Sequence, residues 1–150
     1  MRLRPYIPED FAVLYAIEEQ CFESPFRFGR QSMKKLLEAR CSAAWIAELD
    51  GAMAGFAIVE WTEATQEITA YIQTLEVAPA FRSRGLGAAL LAQCENSARE
   101  AGAFILWLHV ADENAGAIRL YESHGFNRLA NEADFYAPGR GAHVYAKPLV

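Results

Sequence analysis

The sequence lacks the cysteine and histidine patterns that bind metals or form disulfides. Its three cysteines, Cys21, Cys41 and Cys94, are far apart in the chain, and no Cys-x-x-Cys or His-rich spacing occurs. A disulfide framework or a zinc site needs paired or clustered ligands. We therefore expect neither, and no bound metal.

Long hydrophobic runs and an excess of positive charge are also missing. No apolar run is long enough to span a bilayer, and residues 1–5 open a strand, not a signal peptide. Lysine and arginine number 14 against 19 aspartates and glutamates, a formal net charge of -5, which argues against a general nucleic-acid binder. We expect a cytoplasmic protein, monomer or homodimer, without membrane or nucleic-acid partners, whose weakly acidic surface suits a cationic amine.

Hydrophobic periodicity is present throughout and predicts one α+β domain over residues 1–150. The chain is 53% hydrophobic and 22% charged, typical of a single soluble domain. Asp50-Gly51 between two strand patterns predicts a hairpin turn. Strands are predicted at 2–4, 44–49, 53–61, 67–77, 104–110, 127–130 and 142–147, and helices at 8–22, 31–40, 86–100 and 115–124. This order predicts a mixed sheet with helices on both faces, a three-layer α/β/α arrangement.

The segment 82–88, Arg-Ser-Arg-Gly-Leu-Gly-Ala, joins the strand pattern 72–77 to a helix. Glycines at such a junction let a ligand approach the backbone, and the free N–H groups of the helix N-terminus bind anions. A P-loop would need Gly-Lys-Ser/Thr, where Gly87 is followed by two alanines. A dinucleotide fingerprint would need a small residue at Leu90. Both alternatives are disfavoured.

A second motif spans residues 114–126, Asn-Ala-Gly-Ala-Ile-Arg-Leu-Tyr-Glu-Ser-His-Gly-Phe. Taken alone, it is an amphipathic helix with Asn114 as its N-cap and Gly125 at its C-terminal end. In combination, the two motifs closely resemble the Arg/Gln-x-x-Gly-x-Gly/Ala loop and the Asn-x-x-Ala-x-x-Leu/Phe-Tyr-x-x-x-Gly-Phe helix of the GNAT superfamily of acyl-CoA-dependent N-acyltransferases.

This resemblance implies a fold and an activity. The GNAT fold has a mixed, mostly antiparallel sheet of about seven strands, about four helices and a splayed central cleft. The implied reaction is direct transfer of acetyl from acetyl-CoA to a primary amine. Tyr121 would protonate the departing thiolate, which suits a hydroxyl whose pKa of roughly 10 is near the roughly 8.5 of a thiol. The implied cofactor-binding residues are Leu75, Val77, Arg82, Ser83, Arg84, Gly85, Leu86, Gly87, Ala88, Asn114 and Tyr121.

Within the superfamily, the chain resembles the N-terminal protein acetyltransferases. Bacterial ribosomal-protein enzymes carry Leu-Trp-Leu-Glu-Val where residues 106–110 read Leu-Trp-Leu-His-Val, and a eukaryotic branch pairs a histidine there with the tyrosine of a Tyr-Ile-x-Thr-Leu strand, present here as residues 71–75. The resemblance implies that His109 and Tyr71 accept the amine proton through an ordered water. Glu76 is the rival base, although strand alternation points it away from Tyr71 unless a bulge resets the register.

The same resemblance suggests where the substrate binds. The implied substrate-binding residues are Phe26, Gln73, Phe135 and Tyr136. A peptide or protein N-terminus is the favoured amine, because its pKa of about 7.7 to 8.0 lies well below the roughly 10.4 of lysine. A small-molecule amine or amino acid is the first alternative, and a non-catalytic acyl-CoA-binding sensor is the second.

Overall fold

The computed structural model describes residues 1–63 and 66–150 and contains the predicted strands and helices in the predicted order. The strands are β1 (Arg2–Pro5), β2 (Ser42–Leu49), β3 (Ala52–Trp61), β4 (Thr69–Val77), β5 (Ile105–Ala111), β6 (Asn127–Ala137) and β7 (Arg140–Pro148). The helices are α1 (Phe11–Cys21), α2 (Arg30–Glu38), α3 (Leu86–Glu100) and α4 (Ala115–Ser123), with 3-10 turns before α1 and α3.

The strands form one sheet in the order β1-β2-β3-β4-β5-β7-β6, antiparallel except between β4 and β5. Apolar residues alternate along the central strands, so that each face of the sheet buries its own cluster. One cluster, under α1 and α2, includes Leu14, Ile17, Met33, Phe56 and Ile58. The other, under α3 and α4, includes Leu86, Leu90, Leu91, Leu106 and Leu108. The expected mixed sheet with helices on both faces is therefore confirmed.

The hairpin between β2 and β3 has the turn that its sequence predicts. Asp50 and Gly51 have φ angles of 54° and 79°, which is the left-handed conformation of both central residues in a type I′ turn. The twist of this turn matches that of the strands, so it fixes their antiparallel pairing.

The last two strands are longer than predicted. β6 runs to Ala137 and β7 begins at Arg140, so the aromatic pair Phe135 and Tyr136, expected in a loop, lies at the end of a strand. β6 is the edge of the sheet and is exposed over most of its length. An exposed edge strand needs no apolar alternation, and therefore its sequence carries little strand signal.

The central strands β4 and β5 separate soon after they meet. Their parallel pairing covers only Thr69–Tyr71 opposite Ile105–Trp107. Beyond that point β4 is paired on its β3 side only, and the gap opens toward the carboxyl ends of both strands. This is the splayed cleft that the family resemblance implies.

A bulge in β4 changes which residues share a face. Ile58 of β3 pairs with Thr74 and Val59 pairs with Ile72, so Gln73 is the extra residue. Three residues beyond it, Glu76 pairs with Phe56 and faces the α1 side of the sheet, as Tyr71 does. The expectation from strict alternation, that these two side chains face opposite ways, is wrong because the bulge resets the register.

Candidate active site

A cleft of about 830 Å³ lies where β4 and β5 separate. The end of β4, the loop before α3, the first turn of α3 and one side of α4 form its walls. Of the predicted cofactor-binding residues, those that line it are Leu75, Val77, Arg82, Ser83, Gly85, Leu86, Gly87, Ala88, Asn114 and Tyr121. Arg84 is exposed and lies outside this lining.

The backbone of β4 presents polar groups to the cleft. The N–H of Ala78 donates to the carbonyl of Ala54 in β3 at 2.8 Å. Successive backbone groups in a strand point to opposite edges. The N–H and C=O of Val77 therefore point away from β3, into the gap, and the N–H of Leu75 points the same way. The Val77 carbonyl already accepts from Arg82, so the N–H groups of Leu75 and Val77 are the ones that can bond an extended chain lying in the cleft.

The loop into α3 has the geometry of an anion cradle. Gly85 is the N-cap residue with a φ of 83°, and Ser83 has a φ of 64°. The first backbone bond of α3 runs from the N–H of Ala89 to the carbonyl of Gly85, which leaves the N–H groups of residues 86–88 without a partner inside the helix. Together with the positive end of the helix dipole, these groups suit a pyrophosphate.

Two predicted cofactor residues also have structural roles. The Arg82 guanidinium donates to the Val77 carbonyl at 3.0 Å and lies 3.5 Å from the Cys21 sulfur, so it ties the loop back to β4. The Asn114 Oδ1 accepts from the Ala117 N–H at 3.2 Å and caps α4. Only the amide NH₂ of this asparagine remains for a ligand, as its capping role predicts.

Adding a methyl group at Gly87 tests the cradle. A Cβ there would lie 3.3 Å from Leu120 Cδ2 and 4.0 Å from Val77 Cγ2, both on the cleft wall. We expect Gly87→Ala to weaken acetyl-CoA binding about tenfold, roughly 1.4 kcal/mol, in a calorimetric titration. Gly29→Ala is the matched control, because a Cβ there meets nothing within 4 Å. Equal affinities for the two variants would remove the cradle assignment.

The predicted proton-accepting pair is hydrogen-bonded. The Tyr71 hydroxyl lies 2.7 Å from His109 Nδ1, at the point where β4 and β5 part. The imidazole stacks on Phe135 with ring centroids 3.9 Å apart and planes 9° apart. Its other nitrogen, Nε2, lies 3.1 Å from Glu132 Oε1. Tyr71 and His109 lie outside the lining of the 830 Å³ cleft. The reacting amine would therefore have to bind between this pair and the cleft.

Three tyrosines of this region, Tyr71, Tyr121 and Tyr136, are largely removed from solvent. Burial raises the pKa of Tyr71 and of Tyr136 to about 12 each. Burial also raises the pKa of Tyr121, with smaller effects from Cys94 and the other two tyrosines. A phenol with a raised pKa keeps its proton across the neutral range, so each hydroxyl remains a hydrogen-bond donor there.

Glu76 lines the cleft but is not equipped to act as a base. It is 3% exposed, and burial together with the Glu18 carboxyl raises the pKa of Glu76 to about 10, against the opposing effect of the Thr74 hydroxyl, which donates to it at 2.6 Å. Oε1 of Glu76 and Oε1 of Glu18 are both buried without a donor from the described residues. One proton held between the two carboxyl groups satisfies both atoms.

This protonated carboxyl predicts a specific pH dependence of stability. Below pH 4.5 both folded and unfolded chains hold the proton, but above it the unfolded chain releases the proton while the folded one keeps it up to about pH 10. Stability is therefore lost as pH rises through this window. Gln has no proton to release, so Glu76→Gln should gain roughly 2 to 4 kcal/mol over the wild type between pH 5 and 8. Chemical denaturation at several pH values measures this gain. If the free energy of unfolding changed with pH in the same way for both proteins, folded Glu76 would be ionised.

The predicted substrate residues occupy different places. Phe26, from the loop after α1, meets Tyr136 edge to face with centroids 4.9 Å apart, and the Arg140 guanidinium lies 4.6 Å over the Phe26 ring. These side chains cover the end of the cleft that Phe26 lines. Gln73, the bulge residue, donates to Glu60 at 3.1 Å, so the structure gives it a partner within the sheet.

Sequence reasoning missed three residues of this region as site residues. The Glu132 carboxylate contacts the His109 imidazole, and Cys21 lines the cleft. The Glu18 carboxyl raises the pKa of Glu76. Only Glu18 had a usable signal, because a glutamate at the apolar spacing of α1 is expected to be buried.

Among residues 1–63 and 66–150, no group of three or more His, Cys, Asp or Glu side chains could hold a metal ion. In the same ranges no helix is long and apolar enough to cross a membrane.

A sheet that splits beside a helix N-terminus, with a tyrosine-bearing helix across the gap, forms a cleft with an anion site at one end, which suits a long phosphate-bearing ligand such as acyl-CoA. The chain belongs to the GNAT acetyltransferase family, whose model, described as Acetyltransferase (GNAT) family, matches residues 11–126. It is therefore an acetyl-CoA-dependent N-acetyltransferase.

Two curated relatives illustrate the range of the family. The chain is 32% identical over 147 residues to the ribosomal protein bS18-alanine N-acetyltransferase of Salmonella typhimurium, covering 93% of this chain and 92% of that protein. It is 44% identical over 77 residues to the streptothricin acetyltransferase of Streptomyces lavendulae. That second match covers 51% of this chain and spans less than half of the relative, 40% of its length.

Solved structures have the same fold. The ribosomal-protein-S18-alanine N-acetyltransferase of Escherichia coli superposes with a TM-score of 0.84 at 26% identity, covering 99% of this chain and 93% of that one. Arabidopsis thaliana NAA60 in complex with acetyl-CoA gives a TM-score of 0.85 at 21% identity, covering 98% and 97%. At that lower identity the likeness concerns the fold alone.

Proposed function

We propose that the chain transfers acetyl from acetyl-CoA to the N-terminal α-amino group of a protein or peptide. The observation that carries this proposal is the 2.7 Å contact between the Tyr71 hydroxyl and His109 Nδ1, at the point where β4 and β5 separate. An α-amino group needs only a weak base, because about a tenth of it is already neutral at pH 7. The 32% identity to a ribosomal-protein N-terminal acetyltransferase supports the same substrate class.

The cleft residues divide the work of this reaction. The cradle of residues 82–88 would hold the pyrophosphate, and the free edge of β4 at Leu75 and Val77 would bond the pantetheine arm. A backbone N–H there would polarise the thioester carbonyl. Acetyl-CoA supplies the activated acyl group, so the chain needs no covalent nucleophile.

Proton transfer would occur on two sides of the reacting thioester. His109 and Tyr71 would take the proton that leaves the substrate nitrogen. Tyr121, on α4 across the gap, would protonate the departing thiolate. The raised pKa of Tyr121 keeps that proton in place at neutral pH and also makes the hydroxyl a weaker acid than an ordinary phenol, so the transfer would depend on the negative charge that develops on the sulfur as the carbon–sulfur bond breaks.

The groove for the rest of a peptide would lie between Phe26 and the aromatic pair of β6. Phe135 is exposed and Tyr136 is half-buried at the end of that strand, and an extended backbone would reach them from the Phe135 side. Because ribosomes synthesise such N-termini in the cytoplasm, a cytoplasmic location belongs to the same proposal.

A panel of acetyl acceptors tests this function. Turnover of acetyl-CoA should be measured with free N-terminal peptides, peptides blocked at the N-terminus but carrying lysine, polyamines and free amino acids. We expect the highest kcat/KM with the free N-terminal peptides. Equal or greater turnover of lysine peptides, polyamines or amino acids would reject the proposal.

A small amine is the second candidate substrate, and one contact favours it. Phe26 and Tyr136 touch edge to face, and Arg140 lies over Phe26 while its guanidinium forms a 2.8 Å ion pair with Glu113. This closure narrows the entrance that a peptide would need. The partial match to streptothricin acetyltransferase agrees with this alternative, and the amino acid and polyamine members of the panel decide it.

A further inference from the structure

Glu132 approaches the imidazole of His109 from a strand that is not its neighbour. β7 lies between β5 and β6 and pairs Val144 with His109 and Ala142 with Glu132. The Glu132 side chain crosses this strand, where Ala142 is small, and its Oε1 reaches His109 Nε2 at 3.1 Å. The side chain of a glutamate on an exposed edge strand can normally turn to solvent. The inward orientation of Glu132 therefore depends on its contact with His109.

The two contacts of the imidazole fix which nitrogen carries the proton. A carboxylate only accepts hydrogen bonds, so Nε2 must be the protonated nitrogen of the neutral ring. Nδ1 then carries the lone pair and accepts from the Tyr71 hydroxyl at 2.7 Å. The Phe135 ring stacks parallel on the imidazole, with centroids 3.9 Å apart, and restricts the rotation of the imidazole.

We propose that Glu132 is a positioning residue that holds His109 in the Nε2–H tautomer and balances the charge that the imidazole gains. This inference rests on the proposed role of His109. The proton leaves the substrate nitrogen for the Tyr71 oxygen while the Tyr71 proton moves to Nδ1 of His109. The neutral imidazole becomes an imidazolium, and its Nε2–H faces the Glu132 carboxylate.

The surroundings of His109 present few other groups that could do this. Tyr71 of β4 and Glu132 of β6 are the titratable side chains bonded to it in the described part of the chain. β5 itself adds Trp107, whose ring lies 5.4 Å from the imidazole, and β7 adds Val144 opposite. The Glu132 side chain is 46% exposed and that of His109 is 9% exposed, so salt should weaken the carboxylate's effect in part.

Two substitutions separate the hydrogen bond from the charge. Glu132→Leu removes both, whereas Glu132→Gln keeps an oxygen that can accept from Nε2–H but removes the charge. We expect kcat to fall about tenfold or more in the Leu variant and severalfold in the Gln variant, with the KM for acetyl-CoA unchanged. In a His109→Gln background, Glu132→Leu should cause no further loss. Glu100→Gln, an exposed glutamate at the end of α3, is the matched control.

A spectroscopic measurement on the free protein decides the tautomer without substrate. The chain has three histidines, and ¹⁵N imidazole spectra of the wild type and of His109→Gln identify the signals of His109. The wild type and Glu132→Gln should show the Nε2–H form, and Glu132→Leu should show a mixture of tautomers. A wild-type Nδ1–H form, or an unchanged spectrum in Glu132→Leu, would overturn the inference. If the tautomer is as expected but peptides are not acetylated, only the proposed substrate fails.

Discussion

Replacing His109 by glutamine should lower kcat/KM for a peptide acceptor by about a hundredfold. Glutamine is close in volume and can still bond Tyr71 and Glu132, but it cannot take a proton at neutral pH. The loss should appear in kcat, with the affinity for acetyl-CoA unchanged, because His109 lies outside the cleft that would hold the cofactor.

The pH profile is the sharper part of this prediction. If the imidazole is the base, activity requires its neutral form, so kcat/KM should rise with pH as the ring loses its proton. A second rise, from the substrate's own α-amino group near pH 8, should remain in every variant. The glutamine variant should therefore lose the lower inflection and keep the upper one.

Glu76→Gln is the internal comparison, since Glu76 was the rival base. Burial and Glu18 raise the pKa of Glu76 to about 10, so at neutral pH this carboxyl already holds a proton and cannot accept another. We expect the variant to keep near wild-type kcat and an unchanged pH profile while it becomes more stable. A lower inflection that survives in His109→Gln and disappears in Glu76→Gln would reverse the two roles.

Tyr71 should matter nearly as much as His109 if the proton passes through its hydroxyl. The two side chains are 38 residues apart in the chain and bond directly. The Tyr71 hydroxyl is therefore the group through which a proton would reach Nδ1 of His109. Tyr71→Phe keeps the ring contact with Trp107, at 4.6 Å between centroids, and removes only the oxygen. A loss of comparable size would place Tyr71 on the proton path, whereas a slight loss would mean that it only orients a water.

The parts of the site that the sequence predicts are those encoded locally. The cradle at 82–88 and the helix beginning at Asn114 each have their glycines, caps and apolar spacing within one short segment. The pairing of Tyr71 with His109 is not local, and only the family resemblance indicates it. Composition and periodicity alone place the two residues on separate strands without bringing them together.

The remaining features depend on contacts between distant segments. The bulge at Gln73 exists because β3 and β4 pair with one extra residue on one side, which no pattern within β4 reveals. Glu132 looks like an ordinary polar residue of an exposed edge strand, and its contact with His109 crosses an intervening strand. Strand alternation therefore predicts the fold well but assigns the wrong face to Glu76.

Removing the Tyr121 hydroxyl should also reduce turnover by about a hundredfold. Tyr121 is 5% exposed and packs edge to face on Phe126 with centroids 5.7 Å apart. Tyr121→Phe keeps that packing, so the melting temperature should change little. Without the hydroxyl, the thiolate would leave unprotonated, and the cost should appear in kcat with binding of acetyl-CoA retained.

Tyr145→Phe provides the matched control for Tyr121. Tyr145 is equally buried, at 1% exposed, and its hydroxyl donates to Glu122 at 2.7 Å on the far side of α4. Its substitution should cost roughly 1 kcal/mol of stability through the lost hydrogen bond and leave kcat unchanged. Acetyl donors with less basic thiolate leaving groups should narrow the gap between Tyr121→Phe and the wild type, because a weakly basic thiolate needs no acid. A gap that stays constant across leaving groups would make Tyr121 a packing residue of the core and remove it from the chemistry.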